Sequence, residues 1–273
     1  MSGFSINWLD LREAADWRAR DDKLLKQARK WLTSSFALET DKTVVDFGAG
    51  TGSTLRAFAD ALNTDLQALC WRLLDQDPGL LAEARLRHGH SHRLETYELD
   101  LAKISALPLA DAHLITASAL FDLVSAVFVD TLVVALQSQQ PPAGFYAALN
   151  YDGTTIWTPA HPLDDVVLEA FNRDQQRDKG FGVALGPGAG SYLEREFSAA
   201  GFKVFVAASP WVLNGADSKL VDALISGIAD AVAQGSTIDT ASLQDWIEFR
   251  KANIVIGTCI VGHTDLLALP DAV

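Results

Sequence analysis

The segment Thr43-Val44-Val45-Asp46-Phe47-Gly48-Ala49-Gly50-Thr51-Gly52-Ser53 constrains this chain more than any other. A short β-branched run that stops at glycines reads as a strand entering a tight turn. A strand ending in an acid, then three glycines at alternate positions, then a helical pattern, makes a bend that a flat, bulky ligand can approach closely. Glycine permits positive φ and removes the Cβ that would hold a ligand off the backbone. The spacing is G-x-G-x-G; the dinucleotide fingerprint G-x-G-x-x-G would need a third glycine where Ser53 stands. The G-K-[ST] ending of a phosphate-binding loop is also missing.

Strand and helix patterns alternate around this turn. Residues 6–36 read as one or two amphipathic helices, with Trp8, Leu11, Ala15, Leu24, Leu25, Ala28, Trp31 and Leu32 at helical spacing. Strands are expected at Thr43–Phe47, Leu69–Leu74, Arg93–Leu99, Ala112–Thr116 and Phe145–Leu149, and helices over Ser53–Leu66, Pro78–Arg87 and Asp122–Ser138. Beyond Tyr151 the pattern predicts helices at Asp164–Arg177, Ser191–Ala200, Ser218–Ala233 and Ser242–Lys251, and strands at Lys203–Ala208 and Asn253–Val261. Parallel neighbours need crossovers, and crossovers are right-handed, so a doubly wound, mostly parallel sheet of seven strands is expected. The expected organisation is an N-terminal helical cap over residues 1–40 and one α/β domain over 41–273. Helical insertions are expected in its C-terminal half, at about 160–200 and about 215–252.

Composition narrows the function classes. With 49% apolar and 21% charged residues the chain can bury an ordinary globular core. No apolar run approaches the ~20 residues of a membrane helix. The N-terminus lacks the basic segment, apolar core and small-residue cleavage site of a secretion signal, and Cys70 and Cys259 read as buried thiols, so the cytoplasm is the expected location. Twenty-two basic residues against 35 acidic ones weigh against nucleic acid as partner. No Cys/His set has zinc spacing, so no metal is expected.

Asp46–Gly52 resembles motif I of the class I S-adenosylmethionine (SAM)-dependent methyltransferases, D-x-G-x-G-x-G, at every fixed position. The resemblance implies that Gly48, Ala49, Gly50 and Gly52 pass under the amino-acid end of SAM and that Asp46 anchors the turn. Leu73-Leu74-Asp75-Gln76-Asp77-Pro78 is similar to the family's D-x-[SD]-P segment, which implies ribose binding by Asp75 with Gln76 beside it. A carboxylate there can accept from both ribose hydroxyls. Asp77, before a proline, reads as a helix cap. Glu98-Leu99-Asp100-Leu101 ends the third strand where the family places an adenine contact, implying Asp100 and Leu101. Where enzymes that methylate exocyclic amines of DNA, or glutamine amides, resemble [DN]-P-P-[YFW], this chain has Thr116-Ala117-Ser118-Ala119, which argues against those substrates. Ser118 is a candidate cofactor contact and Asp122 a candidate acceptor contact; as alternatives, Ser118 caps the next helix and Asp122 is an acid in its first turn.

The acceptor site is expected on the rim after the fifth strand. Tyr151 and Trp157 offer flat surface with polar tips, and His161 is a candidate base because its ordinary pKa lies near neutrality. Trp8, Arg12, Asp16 and Arg20 fall four apart, one stripe of a helix. Arg20 is a candidate for SAM's carboxylate and Arg12 for the substrate's; an intrahelical Arg–Asp–Arg ladder is the competing account. The expected function is methyl transfer from SAM to O or N of a small molecule, yielding S-adenosylhomocysteine (SAH), in a monomer or homodimer that binds neither membrane nor nucleic acid. A non-catalytic SAM-binding or partner-binding module and an NAD-dependent oxidoreductase are the alternatives.

Overall fold

The computed structural model describes residues 5–36, 41–60, 69–139, 142–235 and 238–270. Strand β1 (Lys42–Phe47) is buried along its whole length, as a central parallel strand covered on both faces must be. It pairs in parallel with β2 (Leu69–Asp75) on one side and β4 (Ala112–Ser118) on the other. Outside these lie β3 (Arg93–Glu98) next to β2 and β5 (Gly144–Thr158) next to β4. The last strand, β8 (Thr258–Leu269), inserts antiparallel between β5 and β6 (Lys203–Ala208), giving the order β3-β2-β1-β4-β5-β8-β6. A three-residue strand, β7 (Trp211–Leu213), adds to β8 as an eighth member.

Helices cover both faces. On one lie α2 (Asp22–Ser35), α3 (Ser53–Asp60) and α4 (Pro78–His88), packing Leu32, Phe58 and Ala84 against Val44, Trp71 and Tyr146. On the other, α5 (Ala126–Gln137) and α7 (Ala189–Ala199) pack Leu132 and Phe197 against Val45, Ile115 and Phe145. A third apolar mass joins the outer parts of β5, β7 and β8 to α6 (Asp164–Gln175), α8 (Ser218–Ala233) and α9 (Thr240–Ala252), with Ala15 of α1 (Ile6–Ala19) at its edge.

Several expected boundaries move. The strand expected to end at Leu149 runs on to Thr158, because two register shifts against β8 absorb the turn-forming Asn150-Tyr151-Asp152-Gly153. The last strand lies later than Asn253–Val261: Asn253 caps α9, Gly257 N donates back to Asn253 O at 2.7 Å, and pairing begins at Thr258. The helix expected from Asp122 begins at Ala126, because the Ser125 hydroxyl accepts from Phe128 N (3.2 Å) and caps it there. Neither Ser118 as cap nor Asp122 as first-turn acid therefore holds. The stretch expected to carry the Ser53 helix on to Leu66 lies partly outside the described residues. No described helix is long and apolar enough to cross a membrane.

Candidate active site

The turn after β1 puts Gly48, Gly50 and Gly52 at φ +59°, +53° and +86°. It is tied to the neighbouring strand twice. Ala49 N donates to Leu74 O (3.0 Å), and Gly50 N donates to Asp75 Oδ2 (2.9 Å). The other oxygen of Asp75 accepts from Asp77 N (3.0 Å), so this carboxylate fixes the β2 end and the glycine turn together. Burial pushes its pKa up against those N–H donors. Asp77 itself accepts from Gly79 N and Leu80 N as the cap of α4.

Buried charges converge on the same edge of the sheet. Asp46, at the end of β1, is 1% exposed; its Oδ1 accepts from Thr116 Oγ1 (2.7 Å), while Oδ2 has no partner among the described residues. Burial pushes its pKa up to about 7, and the Thr116 and Thr54 hydroxyls and Arg20 oppose that rise. Arg20 leaves α1 and donates from Nη2 to Ser118 Oγ at the end of β4 (3.0 Å). Its Nε and Nη1 are buried without partners among the described residues. Burial works against its charge, yet Tyr146, Asp265 and Asp16 together hold it above arginine's ordinary range. Asp265 of β8 accepts from Asp21 N (2.9 Å), Leu149 N (2.8 Å) and Tyr146 Oη (3.3 Å), which locks the α1–α2 junction onto the sheet. Asp265 and Tyr146 escape a sequence reading; an acid inside the apolar run of β8 is the signal that marks the first.

Helix α1 lies over the turn. A Cβ on Gly50 would stand 3.0 Å from Leu9 Cδ1, one on Gly48 3.4 Å from Leu120 Cδ1 and one on Gly52 3.0 Å from His88 Cδ2. Two acids of α1 hold it there. Asp10 accepts from Arg87 of α4 at 2.6 and 3.0 Å, and Glu13 pairs with Arg56 of α3 through both oxygens, one at 2.8 Å. Gln76 and Asp100 are exposed; Asp100 accepts from Ala102 N (3.0 Å), and Leu101 is buried in the core.

Farther along the rim, Asp122 and Tyr151 are buried side by side, the N–H of Tyr151 facing the Asp122 carboxylate, with Arg12 charge-coupled to that carboxylate. Burial raises Asp122 to about 6 and Tyr151 to about 12. Tyr151 Oη donates to Asn172 Oδ1 (2.8 Å). Arg12 pairs with Asp16 at 2.9 and 3.1 Å, so the ladder of the α1 stripe stops at Asp16 and Arg20 turns to Ser118 instead. His263 and Trp211 join this group, and nothing in its spacing marked Trp211 for it. Trp157 and His161 stand elsewhere. Trp157 packs edge-on to Trp246 and under Arg250, and His161 meets Asp245 (3.2 Å), Leu163 N and Phe249. Both belong to the α6–α9 mass. Among the described residues no group of three His, Cys, Asp or Glu side chains could hold a metal ion.

A parallel sheet of this order, closed by an antiparallel strand inserted near its edge, is the fold of class I SAM-dependent methyltransferases. No family model matches the sequence, and no curated protein does. Solved structures match in fold. The YcgJ protein of Bacillus subtilis superposes with a TM-score of 0.51 over 90% of this chain and 99% of its own, at 14% identity. A cyclopropane-fatty-acyl-phospholipid synthase-like protein from Lactobacillus casei gives 0.48 over 94% of this chain and 99% of its own, at 10% identity. The cyclopropane synthase MmaA2 from Mycobacterium tuberculosis gives 0.48 over 97% and 99%, at 10% identity. At 14% identity the likeness to YcgJ is one of fold.

Proposed function

We propose that this chain is a SAM-dependent methyltransferase acting on O or N of a small molecule, in the cytoplasm, as a monomer or homodimer. The observation that carries the reading is the pairing of a positive-φ glycine turn with a buried carboxylate at the next strand end, Gly50 N on Asp75 Oδ2. The donor set suits SAM. Buried, unpartnered atoms of opposite sign, Asp46 Oδ2 and Arg20 Nε and Nη1, match an ammonium and a carboxylate at the amino-acid end. Asp75 retains lone pairs for ribose hydroxyls, and Asp100 and Leu101 are the proposed adenine contacts. The Leu9 side chain stands over Gly50 and must move for the cofactor to lie on the turn.

SAM would supply a methyl group already bonded to a good leaving group. The protein's share is to orient an acceptor lone pair and keep water out. Calorimetry with SAH tests the reading. Binding is expected, and Asp75→Ala should weaken it by ~1–3 kcal/mol, the cost of stranding buried hydrogen-bonding partners. A folded protein that ignores SAH overturns it. The Leu9 contact also favours a second reading, a partner-binding module whose glycine turn the Leu9 side chain covers. SAH binding without methyl transfer to any metabolite pool would select that one.

A further inference from the structure

The rim beyond β4, β5 and β8 carries chemistry that methyl transfer alone does not specify. Asp122, in the turn after β4, is 8% exposed, and its Oδ1 has no partner among the described residues. The Tyr151 N–H of β5 faces it, and the wall continues from Tyr151 through its register partner His263 of β8 to Trp211 of β7. The Trp211 and His263 rings are 5.0 Å apart and those of Tyr151 and His263 6.2 Å. His263 is buried with Nδ1 unpartnered among the described residues, and burial with the Arg12 charge nearby pushes its pKa down to about 3, so the imidazole is neutral. Among the described residues, the part of this wall that does not belong to α1 is therefore three rings and one acid, with no cation of its own.

A cation nonetheless stands there. The Arg12 guanidinium of α1 lies 5.0 Å over the Trp211 ring, paired with Asp16, whose carboxylate also accepts from Trp211 Nε1 at 2.9 Å. Its charge acts on both Asp122 and His263. A delocalised nitrogen cation over an indole face, near a buried acid, is favourable where water is excluded.

We propose that this rim is the acceptor subsite, that it takes a cationic nitrogen compound with Asp122 as counter-ion, and that Arg12 holds the cation's place while α1 is seated. The proposal rests on the methyl-transfer reading and narrows its acceptor to an amine or guanidine. To react, an ammonium must lose one proton and keep the electron pair on nitrogen. Asp122 takes that proton and becomes a neutral acid. An anionic acceptor meets an unpaired carboxylate in a dry site and is rejected.

Three probes that share one ring test this by calorimetry on the full chain: benzylammonium, benzyl alcohol and benzoate. Benzylammonium should bind about ten-fold more tightly than either of the others. Asp122→Asn should erase that preference. Arg12→Gln should act with the opposite sign, tightening benzylammonium several-fold by removing the resident cation. Equal binding of the probes, tighter benzoate, or weaker benzylammonium in Arg12→Gln overturns the proposal. Should Asp122→Asn fail to fold, pH on the unaltered chain decides. Among the described residues, the charged or titratable groups that act on Asp122 are Arg12 of α1 and Tyr151 of β5, and benzylammonium stays charged throughout. The preference should fade as pH falls below about 6, where Asp122 gains its proton, and a preference unchanged under acid overturns the idea. Parallel SAH titrations separate the two claims. SAH binding with no ammonium preference discards the subsite and keeps the methyltransferase; ammonium preference without SAH binding does the reverse.

Discussion

Asp46 shows what a single buried acid does to the whole curve of stability against pH. Its folded pKa of about 7 lies above the ordinary 3.8, chiefly because burial disfavours the charged form. A carboxyl raised in this way contributes most below its unfolded pKa, and that contribution is lost as pH rises through the folded one. Between about pH 4 and pH 7 it therefore pulls stability down. Asp46→Asn, which keeps an acceptor for the Thr116 hydroxyl, should remove that slope. Above pH 7 the variant should be more stable than the parent by on the order of 2–4 kcal/mol. Denaturant titrations across that range measure it, and parallel curves for the two proteins would mean that Asp46 is charged in the fold. His263 works with the opposite sign, since a depressed histidine loses stability as pH falls, so the difference between variant and parent isolates Asp46. That Asp46 ends a strand at a ligand-ready turn is legible in seven residues, because only glycine settles into three positive-φ positions in a row of alternates. The unpartnered Asp46 oxygen and its neighbour Arg20 depend on a helix 26 residues earlier folding back, which no local pattern encodes.

Helix α1 is held less by its own apolar face than by charge. It buries Ala15 and Asp16 and is only partly covered elsewhere, while Asp10 and Glu13 reach Arg87 and Arg56 on two different helices. Pairs of this kind, partly exposed, are screened by salt, whereas the apolar contacts that hold α2 are not. In 1 M salt the amides of residues 6–19 should exchange with solvent faster, with those of α2 unchanged. Arg87→Ala should do the same at low salt. Equal acceleration in both helices would show that α1 is docked by packing instead. The helical period of residues 6–36 is legible because apolar residues repeat with it. The break at Arg20–Asp21, where Asp21 caps α2 by accepting from Leu24 N at 2.8 Å, is legible only as a capping residue. Strands β5 and β8 depart from their expected bounds for one reason. Each carries a polar stretch, Asn150–Gly153 and Gly262–Asp265, that signals a turn locally but is consumed by pairing and by buried hydrogen bonds.

Those same long strands join the apolar layers of the parallel sheet, taken as one mass, to the outer apolar mass. β5 and β8 run without a break from the parallel sheet into the layer under α6, α8 and α9, so each backbone ladder is shared by both. The outer mass is centred on Trp246, fully buried, whose Nε1 donates to Asp164 Oδ1 (2.8 Å); Arg250 donates to both oxygens of the same carboxylate at 2.7 Å and to Pro159 O. Removing the indole leaves a void, at a cost of ~3–5 kcal/mol. In a chain of this size, each kcal/mol lowers Tm by roughly 2–4 °C. If the shared strands couple the two masses, Trp246→Ala lowers one common transition by roughly 6–20 °C, seen alike by far-ultraviolet circular dichroism and by near-ultraviolet signals from Trp71 in the parallel sheet. Two separated transitions, with Trp71 melting at the parental temperature, would show that the outer layer folds as an independent attachment. The coupling bears on function as well. Tyr151 and His263 sit where β5 and β8 pass from one mass to the other, so loosening the outer layer should soften the acceptor rim before it disturbs the glycine turn. In Trp246→Ala at a temperature where the chain remains folded, benzylammonium binding should therefore fall several-fold while SAH binding holds.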